Sequence, residues 1–155
     1  DEYASLYPTP LVFDKPHIKK FRDKLPVNNA ERSGKDHYII RYADVLLLYA
    51  EALNEAGDPA AYTYLNQVRR RAGLADLPTM SQAQFRDHML LERAWELCFE
   101  GDRKFDLVRS GKYAERVKAW NTQAGPNVVK GKHEFWPIPQ REIDISRNLE
   151  QNPGW

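Results

Sequence analysis

One cysteine, Cys98, occurs in 155 residues, so no internal disulfide can form and no cysteine-based metal centre can be assembled. The four histidines, His17, His37, His88 and His133, are scattered. With no H-x-x-x-H pair and no clustered Asp they lack the spacing of a metal site, and each reads as a surface or satisfied polar residue. There is no G-x-G-x-x-G and no Walker loop, which removes the usual phosphate cradles. Ser33, Ser81, Ser110 and Ser146 lack the context of a nucleophile elbow. No run approaches the roughly 18 apolar residues of a membrane span, and no signal peptide opens the chain. Because it begins on Asp1-Glu2 without Met, it reads as a mature product or an excised fragment, and missing targeting signals say little about location. Charge of one sign is also missing: 23 Lys and Arg oppose 22 Asp and Glu, for a net +1. No dedicated nucleic-acid surface is expected from that balance, and no cofactor is implied.

What is present is an ordinary globular composition, 42% hydrophobic and 29% charged. The chain turns on LLERAWELCFEGDRKFDLVRSG, residues 90–111. Leu91, Ala94, Trp95, Cys98 and Phe99 fall at i, i+3, i+4, i+7 and i+8, one stripe of a helix, so Cys98 and Trp95 are expected inside. Glu92, Glu96 and Glu100 recur every fourth residue beside it. Like charges so spaced repel by roughly 0.2–0.5 kcal/mol per pair on an exposed helix. That row asks for cations, and Arg93, Arg103, Lys104, Arg109 and the run Arg69-Arg70-Arg71 can supply them. The expectation is a central helix carrying an ion-pair lattice where it meets its neighbours. Gly101-Asp102 reads as a stop and a fresh N-cap, with a short helix over 102–110 turning Phe105, Leu107 and Val108 inward.

Taken in order, residues 1–37 form a loop-rich arm broken by Pro8, Pro10, Pro16 and Pro26. Short extended pieces are expected at Leu6-Tyr7 and 11–13, a helical turn at 17–24 and a solvated loop at 26–35. Residues 38–123 carry the helical hairpins. YIIRYADVLLLYAEALNEAG has Tyr42, Val45, Leu46, Tyr49, Ala50 and Leu53 on one face and Leu48 and Ala52 on another, which predicts a helix covered from both sides. Gly57 as C′, Asp58 as N-cap and Pro59 at N1 lead almost directly into a helix over 59–72 that buries Ala61, Leu65, Val68 and Ala72 and exposes Asn66 and Gln67. Two helices joined so tightly must pack antiparallel, in a hairpin the size of a tetratricopeptide unit. Ser81 with Gln84 fits a capping box, opening a helix from 82 to about 100. Tyr113, Val117 and Trp120 mark a further helix with Trp120 in the core. Residues 124–155 form an extended tail. QAGPNVVKGK is turn-rich or an extended hairpin, Phe135–Pro139 cannot be helical, and a helical turn fits 140–145. The aromatics and prolines of the tail suggest that it is pinned to the helices. The fold class is all-α, tetratricopeptide-like.

For chemistry, Glu92/Glu96 and Glu96/Glu100 stand near the spacing of a retaining glycosidase pair. A structural ion network explains them better, since each has an Arg close by in the sequence. No catalytic residue and no metal site is therefore assigned. Trp136 and Trp155, outside the helices, are the plausible platforms for stacking a sugar ring, although anchoring the tail explains them better.

DHYIIRYADVLLLYAEALNEAG, LNQVRRRAGL, LERAWELCFEGDRKFDLVRSGKY and FWPIPQREIDISRNLEQNPGW, in this order, resemble the C-terminal part of the SusD/RagB family. The likeness covers residues 36–155. The family pattern E-R-x-x-E-L-x-x-E-G-x-R-x-x-D-L-x-R falls on Glu92, Arg93, Glu96, Leu97, Glu100, Gly101, Arg103, Asp106, Leu107 and Arg109. Its usual ending Q-N-P-G-Y is matched at Gln151–Gly154, with Trp155 in place of Tyr. The resemblance implies a mostly α fold and no enzymatic activity. It implies a protein on the outer face of the outer membrane, held by an N-terminal lipid absent from this chain, that binds glycans or other nutrients and delivers them to a SusC-like TonB-dependent transporter. Ligand contacts are expected upstream, so the resemblance carries none onto a residue here. The competing reading is a tetratricopeptide-like adaptor that grips a protein partner.

Overall fold

A computed structural model describes residues 18, 20–21, 35–146 and 148–155. The chain divides into two compact units, 1–39 and 40–155. In the first, the Phe21 ring stacks on His37 at 5.0 Å and the Lys35 ammonium donates to the Lys20 carbonyl at 2.8 Å. The extended pieces and turn expected over 6–24, and the loop over 26–35, fall mostly outside the described residues.

The second unit holds α1 (Tyr42–Glu55), α2 (Ala61–Arg71), α3 (Gln82–Glu96), α4 (Arg103–Arg109), α5 (Tyr113–Trp120) and α6 (Gln140–Ile145), with a 3₁₀ turn at Gly125–Asn127 and no strand among the described residues. Residues 123–132, read above as turn-rich or an extended hairpin, form turns on either side of that 3₁₀ turn. At the end of α1, Gly57 takes φ 75°. Its N–H reaches the Asn54 carbonyl at 3.0 Å while that of Asp58 reaches Leu53 at 2.9 Å. This pair satisfies carbonyls the helix leaves open, and a residue without Cβ adopts that backbone at least cost. The Asp58 carboxylate then accepts the Ala60 N–H at 2.8 Å, starting α2 almost at once. The Ser81–Gln84 capping box forms in both directions and opens α3.

The core lies where α1, α2 and α3 meet: Leu46, Leu47 and Ala50 pack with Ala61, Leu65 and Val68, and with Phe85 and Met89. Phe85 is fully buried, and Tyr62 meets it edge-on with centroids 4.9 Å apart. Asn66, expected outside, is buried because its side-chain oxygen accepts the Leu77 N–H at 2.8 Å and ties down the α2–α3 connection.

Several expectations are overturned on α3 and beyond. The side of α3 that faces α1 and α2 runs through Phe85, Met89, Glu92 and Arg93, at i, i+4, i+7 and i+8. In the apolar stripe beside it Trp95 is 59% exposed, Phe99 61%, and Cys98 is exposed too. The charged residues, not the stripe, go inside, because ionic partners from neighbouring elements await them. α3 also stops at Glu96 rather than near 100, in a turn where Phe99 takes φ 65°, a conformation unfavourable for a bulky residue. Asp102 makes no side-chain cap to α4, and Phe105 points outward while Leu107 is buried. Trp120 is exposed as well, and on α1, expected to be covered from both sides, Tyr42, Val45, Leu48 and Tyr49 are exposed.

Candidate functional site

The glutamate row is embedded in arginines drawn from elsewhere in the fold. Glu92, 3% exposed, takes Arg69 from the last turn of α2 at 2.7 Å and the His88 ring at 3.1 Å. Glu96 binds Arg41 at 2.8 Å and also Arg71. Arg41 grips Glu100 with two N–H groups, at 2.7 and 2.8 Å. These contacts hold the Arg41 guanidinium in its charged form, chiefly through the hydrogen bond to Glu100, with burial opposing. On the other flank Arg93, 4% exposed, spans Asp106 at 2.8 Å and Asp44 at 2.7 Å. Burial pulls its pKa down, but the two carboxylates more than offset this and leave it raised. Arg109 completes the group by bonding Glu51 and Asp106. The lattice forms as expected, yet the glutamates take their arginines from positions 41, 69 and 71, and Arg93 points to Asp44 and Asp106 rather than to the glutamates. Each carboxylate of the row is thus engaged by an arginine, and the row lines the junction of α1, α2 and α3 rather than a substrate cleft.

The second candidate is an open cleft of about 250 Å³ walled by α4, α5 and the segment 124–155. Gly111 ends α4 with φ 70°, and the Lys112 N–H bonds the Leu107 carbonyl at 2.9 Å, so α5 folds back and sets Tyr113 and Val117 against Lys104. Gly125 is pressed on the end of α5, where an added Cβ would stand 3.0 Å from the Lys118 carbonyl oxygen; this close approach brings Asn127 and Val128 to the wall.

Pro137 and Pro139 have no N–H, which leaves Ile138 as the one backbone donor of that run. The Gln151 side chain takes both of its polar groups, accepting its N–H at 2.8 Å and donating to its carbonyl at 2.9 Å. Asn152 donates to the Trp136 carbonyl at 2.6 Å, and the Trp155 indole N–H to that of Lys132 at 3.2 Å. The tail is thus fastened to residues 132–138 and meets α4 and α5 at the cleft.

In the cleft the Lys104 ammonium sits 3.4 Å from the Trp136 ring centroid and 5.5 Å from that of Tyr113. His133 meets Trp155 edge-on at 5.4 Å and accepts the Val129 N–H on Nδ1 at 2.8 Å. Trp136 and Trp155, the two platforms picked out in the sequence, do share this wall; Lys104, Tyr113 and His133 were missed. Lys104 and Tyr113 reach this wall through the turn at Gly111, and His133 lies on the segment that leads into Trp136. The described residues contain no cluster of His, Cys, Asp and Glu able to hold a metal ion.

Comparison with known proteins gives a consistent result. The SusD family model matches residues 13–155. SusD-like protein P2 of Formosa agariphila is 33% identical over 94% of this chain, and the match spans 31% of that relative. The starch-binding protein SusD of Bacteroides thetaiotaomicron is 31% identical over 86% of this chain and 24% of its own length. A crystal structure of a SusD homologue from Bacteroides thetaiotaomicron superposes with a TM-score of 0.67 at 41% identity, over 76% of this chain and 27% of that one. The chain therefore spans about a quarter to a third of the relatives it matches.

Proposed function

The chain belongs to the SusD family, and we propose that it is the helical scaffold portion of a non-catalytic protein that captures glycan, or another nutrient, at the outer face of the outer membrane. In this reading the whole protein is held by an N-terminal lipid and hands its ligand to a SusC-like TonB-dependent transporter. The observation that carries the proposal is the family match along nearly the whole chain, with a starch-binding protein among the relatives. The absence of enzymatic activity is supported by the pairing of Glu92, Glu96 and Glu100 with Arg69, Arg41 and Arg71, which gives the row a structural task.

Calorimetry of the full-length protein against a panel of glycans, paired with affinity capture from outer-membrane extracts, tests both halves. Binding of at least one glycan and recovery of a TonB-dependent transporter are expected. Capture of soluble proteins alone, with no glycan bound, would replace this reading with the protein-adaptor one. Sugar hydrolysis that disappears in Glu96→Gln would overturn the non-catalytic assignment.

A further inference from the structure

We propose that the cleft between α4, α5 and the clasped tail is itself a carbohydrate subsite, selective for a pyranose ring bearing an anionic group. It rests on the reading of the protein as a glycan binder and adds a site and a ligand class to it.

The walls fit a sugar ring. A pyranose has a face of C–H groups that lies flat on an aromatic ring and a rim of hydroxyls that needs hydrogen bonds. Trp136 is 68% exposed although its backbone is clasped by Asn152, so its indole is displayed on a fastened backbone. Trp155 and Tyr113 give further aromatic surface. The volume, about 250 Å³, lies just below the range of small-molecule pockets and suits one or two rings.

The charge fits an anion. No Asp or Glu lines the cleft, whereas Lys104 and His133 do. His133 accepts a backbone N–H on Nδ1, so in its neutral form the proton is on Nε2, which is a donor.

Lys104 converts the charge into selectivity. Without ligand its ammonium lies over the Trp136 face, where a sugar would stack. Displacing it forfeits that cation–π contact. A neutral sugar offers no compensation. A carboxylate or sulfate on the ring lets the ammonium exchange the indole face for a charge-assisted hydrogen bond.

The test is calorimetry and tryptophan fluorescence of this chain with three probes: a galacturonic acid oligomer, a sulfated galactose oligomer and a neutral maltose oligomer. One or both acidic probes should bind at least tenfold more tightly than the neutral one; which of the two wins tells carboxylate from sulfate. Lys104→Met should weaken the acidic probe at least tenfold and leave the neutral one unchanged or stronger. Trp136→Ala should abolish both, with circular dichroism confirming the helices. Raising salt from about 0.1 M to about 1 M, which shortens the screening length from about 10 Å to about 3 Å, should weaken only the acidic probes. Glycan binding that ignores both substitutions would overturn the subsite yet spare the proposed function. No binding of any glycan, by this chain or by the full-length protein, would remove both.

Discussion

The hairpin region, α1 to α3, and the clasped region from α4 to Trp155 are held by different forces. The first has an apolar core centred on Leu47, Leu65, Phe85 and Met89, sealed along α3 by buried ion pairs. Beyond Glu96 the buried apolar residues are Leu97, Leu107, Ala114 and Val128, and order comes instead from side-chain brackets on the backbone and from ammonium–indole contacts. Area removed from water is the larger source of stability, so the hairpins are the firm part and the clasp the adjustable one. A binding surface assembled on the adjustable side can adapt without loosening the scaffold.

The sharpest way to break the contrast is to strike the core. Phe85→Ala should cost about 3–5 kcal/mol, since no neighbour can close the cavity without repacking Tyr62 and Met89. Urea unfolding followed by circular dichroism should register this as a large fall in midpoint. An equivalent loss from any single tail substitution would show that the two regions are not ranked as argued.

Next comes the ionic seal. Arg93→Ala strands Asp44 and leaves Asp106 to Arg109 alone at a largely dry junction, and breaking such a buried pair costs about 3–5 kcal/mol, at or slightly below the core lesion. Arg70→Ala, removing an exposed partner of Asp76, should leave the midpoint in place. If the two substitutions behaved alike, burial would not be what gives the seal its weight.

Smaller again is the clasp. Gln151→Ala deletes both bonds to Ile138 and should cost about 1–2 kcal/mol, at about 1 kcal/mol per bond. The loss should be local: hydrogen exchange should speed up at Ile138 and Asn152 and in the Trp155 segment, with α1–α3 unaffected. Uniform acceleration across the chain would mean that the regions unfold as one.

What the sequence made legible follows from how local each signal is. Gly57, Asp58, Ser81 with Gln84, and Gly111 act within one helical turn, and each marks a boundary that the structure keeps. The family likeness, carried by ordered motifs, was equally readable. Which face of α3 goes inward was not, because apolar spacing reports amphipathicity but not what stands opposite. Asp44, Arg69 and Asp106 are distant in sequence, and only the assembled helices show that they draw Glu92 and Arg93 inside while Trp95 and Cys98 stay out. The cleft was half legible for the same reason: Trp136 and Trp155 stand out by residue type, whereas Lys104 and Tyr113 join them through the turn at Gly111.

The smallest effect lies at the boundary of the two regions, on Asp102. Burial raises its pKa above the ordinary aspartate value, with the nearby Asp44 charge adding to the shift and Arg93 opposing it. The charged form is therefore the costly one in the folded protein. Between the unfolded and folded pKa values the native state binds more protons than the unfolded state, so this residue lowers stability as pH rises through that interval. Below it the cost is absent, and above it the cost is complete. Asp102→Asn carries no charge to desolvate and forfeits no side-chain cap, since Asp102 makes none to α4. Its thermal midpoint should exceed the parent's at neutral pH, and the two should converge as pH falls below the ordinary aspartate value. A gain of the same size at both ends of that titration would trace to packing and not to charge, and would separate the junction of the two regions from the electrostatics of the ion-pair lattice.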